Sequence, residues 1–197
     1  SELQAFLDVI APLSDVLGPM LLQLPASFGP NRLSQLWRFL DTAPDTLDWT
    51  VEVRNPAFFA KGEEEKALNQ GLRQRKLARV CMDSRAVFSA VPDNDVIVDA
   101  QRKKPRVPVH LLPSDAPPVI RYIGHPDLET NRDFLAPWVT RVKGWLESGV
   151  QPYVFMHMPD NAHAVALAEL WTELLRAQLP SLEPLPVDVP KPQLGLF

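Results

Sequence analysis

Two periodicities take turns along this chain, and that alternation limits its architecture more than any other feature. Five short apolar runs (Met20 to Leu24, Trp49 to Arg54, Leu77 to Asp83, Val119 to Gly124 and Pro152 to Met158) have the length and β-branched or aromatic content of strands. Between them the apolar residues recur every third or fourth position, which predicts helices. Leu3, Phe6, Leu7, Ile10, Leu13 and Leu17 predict an amphipathic helix ending near Gly18-Pro19. Leu33, Leu36, Trp37 and Leu40 predict the next, and the charged stretch Glu63 to Lys76, with Gly71 inside it, a third. Phe134 to Glu147 and Ala162 to Leu179 complete the series. The segment from Ala90 to Pro118 carries six prolines and reads as a long connection holding one short helix.

A helix between consecutive strands makes each connection a crossover, so the strands run parallel, either in an open doubly wound sheet or in part of a barrel. Neither GxGxxG nor GxxxxGK[ST] follows any strand. The usual phosphate loops of open nucleotide-binding sheets are therefore missing, which favours the barrel. Composition adds exclusions. Among 197 residues, 46% are hydrophobic and 22% charged, ordinary for a domain with its own core. A net charge of -4 gives no general attraction to a phosphate backbone and argues against direct nucleic-acid contact by the barrel surface. No run of apolar residues is long enough to span a bilayer, and one cysteine, Cys81, allows no internal disulfide. A soluble, cytoplasmic protein is expected. The chain starts at Ser1, inside a helical pattern, which suggests a truncated N-terminus.

The segments LLQLPASFGP and VEVRNPAFF, the pair Asp83-Ser84 closing a strand, VIRYIG, and YVFMHMPDNAHA follow one another in an order and spacing that resembles the second half of the YecE-like TIM-barrel family of unknown function. The resemblance covers about residues 1 to 180. It implies an α/β fold of the (β/α)8 TIM-barrel class, with this chain supplying about strands four to eight and their helices and lacking the first three. Two positions depart from the family pattern. Ile123-Gly124 stands where many members carry His-Gly, and His157, Met158 and Pro159 stand where many carry Asn-Asn-Asp. The family brings no established reaction, and no cofactor is expected.

In such a barrel the reactive groups gather at the carboxyl ends of the strands. Period-two alternation puts Thr50, Glu52 and Arg54 on one side of their strand and Val51 and Val53 on the other; Arg79, Cys81 and Asp83 share a side, as do Val119, Arg121 and Ile123, and Tyr153, Phe155 and His157. If the polar side faces the barrel axis, Gln23, Glu52, Arg54, Asp83, Arg121 and His157 converge. Gln23, Arg54 and Arg121 then suit a small anionic ligand, with Glu52, Asp83 or His157 as acid or base. The competing reading is a structural ion pair, with Glu52 satisfied by a neighbouring arginine. The histidines His110, His125, His157 and His163 show no HxH or HExxH spacing, so no metal site is expected. His163 reads as a surface residue and Cys81 as a small buried hydrophobe. The basic run Arg102-Lys103-Lys104-Pro105-Arg106 reads as a solvated loop.

After residue 180 the composition changes. SLEPLPVDVPKP, with four prolines in twelve residues, favours an extended spacer, dividing the chain into a barrel part, 1–180, and a tail, 181–197. The tail ends in QLGLF, which resembles the peptide by which bacterial replication and repair proteins dock on the DNA polymerase sliding clamp. Gln193 matches its polar anchor, Leu194 the next position, and Leu196 and Phe197 its hydrophobic plug. The resemblance makes the clamp a candidate partner.

Overall fold

The computed structural model describes residues 2–112 and 114–186. Helices and strands alternate along it: α1 (Glu2–Ile10), β1 (Met20–Gln23), α2 (Leu33–Leu40), β2 (Trp49–Glu52), α3 (Glu63–Gln74), β3 (Ala78–Arg79), β4 (Cys81–Asp83), α4 (Arg85–Ser89), α5 (Asp95–Lys103), β5 (Val119–Ile123), α6 (Asn131–Glu147), β6 (Tyr153–His157) and α7 (Ala164–Gln178). Every ladder is parallel, and the strands form two three-stranded sheets, ordered β1-β2-β3 and β4-β5-β6. The architecture is α/β, as the alternation requires. The strand predicted over 77–83 is divided at Val80. Ala78 and Arg79 pair with Thr50 and Val51, whereas Cys81 to Asp83 pair with Ile120 to Tyr122. The Val80 N–H donates to the Val51 carbonyl at 2.9 Å, so only one residue separates the two halves.

No ladder joins β1 to β6 among the described residues, and no closed barrel is seen. The strands nonetheless curl toward each other: a methyl group added at Gly18, just before β1, would lie 3.2 Å from the Tyr153 ring at the start of β6. Two hydrophobic clusters fill the space between strands and helices. Val51 and Val53 pack with Leu36, Leu68 and Leu72 of α2 and α3. Ile120 and Tyr122 pack with Trp138 and Val142 of α6 and Leu167 of α7. Fully burying a side chain of the size of Leu68 or Leu167 contributes about 1.5–3 kcal/mol, so these stripes bind the helices to one face of the strands. The opposite face carries Leu21 and Phe155, 40% and 48% exposed. At the carboxyl ends of β4 and β5, a third, small cluster of Met82, Val87, Ala100 and Ile123 seats α4 and α5 over the strand ends.

Local chemistry explains most boundaries. Glu63, Glu64 and Glu65 occupy the first turn of α3, where carboxylates oppose the partial positive charge of the exposed N–H groups. Two residues past the end of that helix, Lys76 turns the chain in the left-handed region at φ 55. α5 starts where the Asn94 side chain accepts from the Ile97 N–H, a helix cap inside the proline-rich connection. The first helix departs from expectation. α1 stops at Ile10 and gives way to a 3-10 segment, Ala11–Val16, with Pro12 near its start. Its expected buried face is only partly covered, with Leu3 against the α2–α3 cluster. Phe6 is 45% and Leu13 53% exposed, while Leu3, Leu7, Ile10 and Leu17 are half-buried. α7 ends at Gln178, but Leu182 still packs on the core and accepts a hydrogen bond from Arg176 Nε at 2.9 Å.

A candidate anion site at the strand ends

Parallel strands present all their carboxyl ends at one rim, and the register brings specific side chains to it. Gln23 pairs with Glu52 at the ends of β1 and β2. Met82 of β4 pairs with Arg121 of β5, whose long side chain reaches across to Glu52. Glu52 is 1% exposed and accepts at both oxygens, from Arg54 Nε at 2.8 Å and from Arg121 Nη1 at 2.5 Å. Gln23 Oε1 accepts from Arg54 Nη2 at 2.7 Å and from Arg121 Nη1 at 3.1 Å. Arg121 Nε donates to His157 Nε2 at 3.3 Å. Arg54 Nη1 and Arg121 Nη2 make no hydrogen bond to described residues. Two guanidinium groups are thus held in place by one carboxylate and one amide, each with donors to spare.

Backbone contacts hold this arrangement. The Leu24 N–H donates to the Glu52 carbonyl at 2.8 Å, continuing the β1–β2 ladder to the rim. Asn55 Nδ2 donates to the Ala26 carbonyl at 2.8 Å while its Oδ1 accepts from the Ala57 N–H, so one side chain ties the two loops together. At β6, the Gly124 N–H donates to the His157 carbonyl at 2.8 Å. Burial, Arg121 and Lys104 hold the His157 imidazole down to about 4, opposed by Glu52. At neutral pH it is therefore an uncharged hydrogen-bond acceptor at Nε2.

Five of the six residues expected to converge do so: Gln23, Glu52, Arg54, Arg121 and His157. Asp83 does not. Met82, not Asp83, shares the face of Arg121, so the next residue points between the strands and α6. There Asp83, 0% exposed, accepts from Trp138 Nε1 at 2.8 Å and from Arg85 Nη2 at 2.7 Å. The parity expected for Arg79, Cys81 and Asp83 is right, but in this strand the polar set faces the helices. Gln193, Leu194, Leu196 and Phe197 lie outside the described residues.

A sequence profile of the family described as Protein of unknown function DUF72 matches residues 1–193. The chain belongs to the DUF72 family. It is 46% identical over 192 residues to the UPF0759 protein YecE of Escherichia coli (strain K12), a match covering 98% of this chain and 70% of that protein. The protein of the same name from Escherichia coli O157:H7 matches to the same extent. A crystal structure of a DUF72 family protein from Enterococcus faecalis V583 resembles it at a TM-score of 0.64, over 92% of this chain and 68% of that one, at 19% identity; that likeness is one of fold.

In this DUF72 chain one rim residue was not expected from the sequence. Lys104 lines a cleft with Gln23 and Arg54. Burial, then Arg121 and Arg54, lower the pKa of its ammonium, with Glu52 opposing. The rest of the basic run is engaged elsewhere: Arg102 and Lys103 pair with Asp99 at 2.7 and 2.6 Å, and Arg106 lies over the Phe88 ring. The available signal was position, since the run lies in the connection after a strand end, where barrel sites collect their loops. A second polar group sits on the helix side. Glu65 accepts from Arg79 and contacts His110 Nδ1 at 2.6 Å, and Arg79 Nη2 donates to the Phe58 carbonyl at 2.7 Å. It braces α3 against β3. Cys81 is buried, with its thiol pushed up to about 12 by desolvation and by Asp83, which makes it a poor nucleophile. His163 is exposed just before α7. Among the described residues no three His, Cys, Asp or Glu groups lie together where they could hold a metal, and no helix is long and apolar enough to cross a membrane.

Proposed function

We propose that the rim formed by Gln23, Glu52, Arg54, Arg121 and His157 binds a small anionic ligand. The observation that carries this reading is the pair of guanidinium groups, each oriented through part of its fork and each with an unspent Nη. A purely structural pair needs one arginine for one carboxylate, whereas here Glu52 holds two and leaves a net positive charge at a solvent-reachable rim. Arginine forks of this kind match the oxygens of carboxylates and phosphates. In the same reading Glu52 and the neutral His157 are the acid and base candidates for any reaction at the bound anion. Isothermal titration with inorganic phosphate provides the test. Wild type binds, and Arg54→Ala or Arg121→Ala lowers affinity by about tenfold or more, the size expected for a lost charge-assisted hydrogen bond. No binding by wild type, or unchanged binding by both variants, refutes it.

The larger architecture belongs to the same proposal. The strands make a consecutive stretch of an eight-stranded (β/α)8 barrel wall, with the rim facing its interior. The sequential parallel order, the approach of Tyr153 to Gly18, and Leu21 and Phe155 exposed opposite the helices support this reading. A cytoplasmic setting is proposed with it, supported by the lone Cys81.

A second reading rests on QLGLF at residues 193–197: the tail delivers the protein to the DNA polymerase sliding clamp. A labelled peptide spanning residues 184–197 is expected to bind a purified bacterial clamp with micromolar affinity and to lose binding when Leu196 and Phe197 are both alanine. Equal binding by both peptides, or none, removes this reading.

A further inference from the structure

We infer that the anion taken at the strand ends is a phosphoryl dianion, and that Lys104 is the residue that selects it over a singly charged carboxylate. This rests on the anion-site reading above and makes it more specific. The cleft over Arg54 and Gln23 has a volume of about 470 Å³ and is lined by five cationic side chains, Arg54, Arg102, Lys103, Lys104 and Arg106, with no carboxylate among its lining residues. Not all of that charge is free. Arg102 and Lys103 are paired with Asp99 on α5, and Arg106 covers Phe88. Lys104 has no hydrogen bond or ion pair to any described residue, although it is half-buried.

The charges that face one another at the rim are therefore Arg54, Arg121 and Lys104 against Glu52, with His157 uncharged. Three cations stand against one anion. A partly desolvated excess of this kind is costly unless a ligand compensates it, and a carboxylate removes only half of it. A phosphoryl dianion compensates all of it. Donor number agrees: Arg54 Nη1 and the Lys104 ammonium line the cleft and Arg121 Nη2 belongs to the adjoining rim, three separate unspent donor groups for three terminal oxygens rather than two. The lowered pKa of Lys104, caused by burial and then by Arg121 and Arg54, is what an uncompensated cluster produces.

Lys104 reaches this position because its segment is fixed on both sides. Its backbone is extended at φ -107 and ψ 139, directly after the last turn of α5. The Pro105 carbonyl accepts from Ser84 Oγ at 3.0 Å, and the Arg106 guanidinium lies 5.5 Å from the centroid of the Phe88 ring. Gln101 Nε2 donates to the Val87 and Ala90 carbonyls at 2.8 and 3.0 Å, locking α5 onto α4. The lysine is thus carried on an anchored strut rather than on a free loop.

The test compares phenyl phosphate with benzoate on the full chain at about pH 8, where a phosphate monoester, with a second pKa of about 6, is a dianion. Wild type is expected to favour phenyl phosphate by about tenfold or more, and Lys104→Gln to lose that preference by weakening phenyl phosphate alone. Lys104→Arg keeps the preference, which shows that charge and not folding is being read, and Lys143→Gln, on α6 outside the cleft and paired with Glu147, leaves it unchanged. Equal affinities in wild type, or a Lys104→Gln loss shared equally by both probes, overturn the inference while Arg121→Ala still abolishes binding and the anion site stands. If neither probe binds, both the inference and the site reading fall.

Discussion

Burial and the positive charges of Arg121 and Lys104 keep the His157 imidazole near 4, well below its ordinary 6.5, while Glu52 pulls the other way. Between those values the unfolded chain binds a proton at this residue that the folded chain refuses, so the unfolding free energy falls as pH drops from about 6.5 toward 4. Urea midpoints measured across that window are expected to fall on acidification in wild type and to fall less in His157→Gln. Equal slopes for the two proteins would show that His157 is not the group responsible. Carboxylates held below their ordinary values, such as Glu65, where the Lys61 N–H and His110 outweigh the cost of burial, also lose stability toward the acid end of that window, but equally in both proteins, so they cancel in the comparison. The same scale shows where reading the sequence succeeded and where it stopped. Glu52 and Arg54 were legible as rim residues because the period-two alternation of β2 continues two residues past its end at Glu52. Asp83 was not, because polarity does not by itself mark the inner face: the indole N–H of Trp138, 55 positions away, gives a buried carboxylate an outward partner.

Within α3, Gly71 lies against the Trp37 ring of α2, and an added methyl group would meet Trp37 Cζ2 at 2.4 Å. Glycine inside a helix costs about 1 kcal/mol relative to alanine, so propensity alone favours Gly71→Ala. Overpacking costs about 1–3 kcal/mol, and the ring is rigid and already sandwiched by the Arg75 guanidinium 4.7 Å from its centroid. The clash wins. Gly71→Ala is expected to destabilise by about 1–2 kcal/mol in urea unfolding, and Trp37→Leu in the same chain to reverse most of the loss; a stabilised Gly71→Ala would show that α2 yields freely. Elements with strong local signals were the legible ones. β2, α3 and α6 follow from alternation or helical spacing, and α6 starts before its apolar pattern because the Asn131 side chain donates to the His125, Asp127 and Leu128 carbonyls. α1 was legible as a helix but not as an exposed one, since an apolar stripe declares that it wants a partner without saying whether one is present.

At the scale of the whole chain, the alternation of strand and helix patterns required parallel crossovers, and short-range chemistry set most helix ends; both are properties of neighbouring residues, so the sequence alone determined them. It also determined which side chains share a face within each strand. What it left open was every relation that depends on the distance between segments far apart in the chain. Only the tertiary structure decided that Gln23 and Arg121, 98 positions apart, meet at one oxygen, that β4 turns its polar side to the helices, and that Lys104 stands over the rim while its neighbours pair with Asp99. The physical reason is that periodicity records whether a residue faces a core or a rim, whereas the identity of its partner depends on register between strands and on how α4 and α5 seat on Met82 and Ile123.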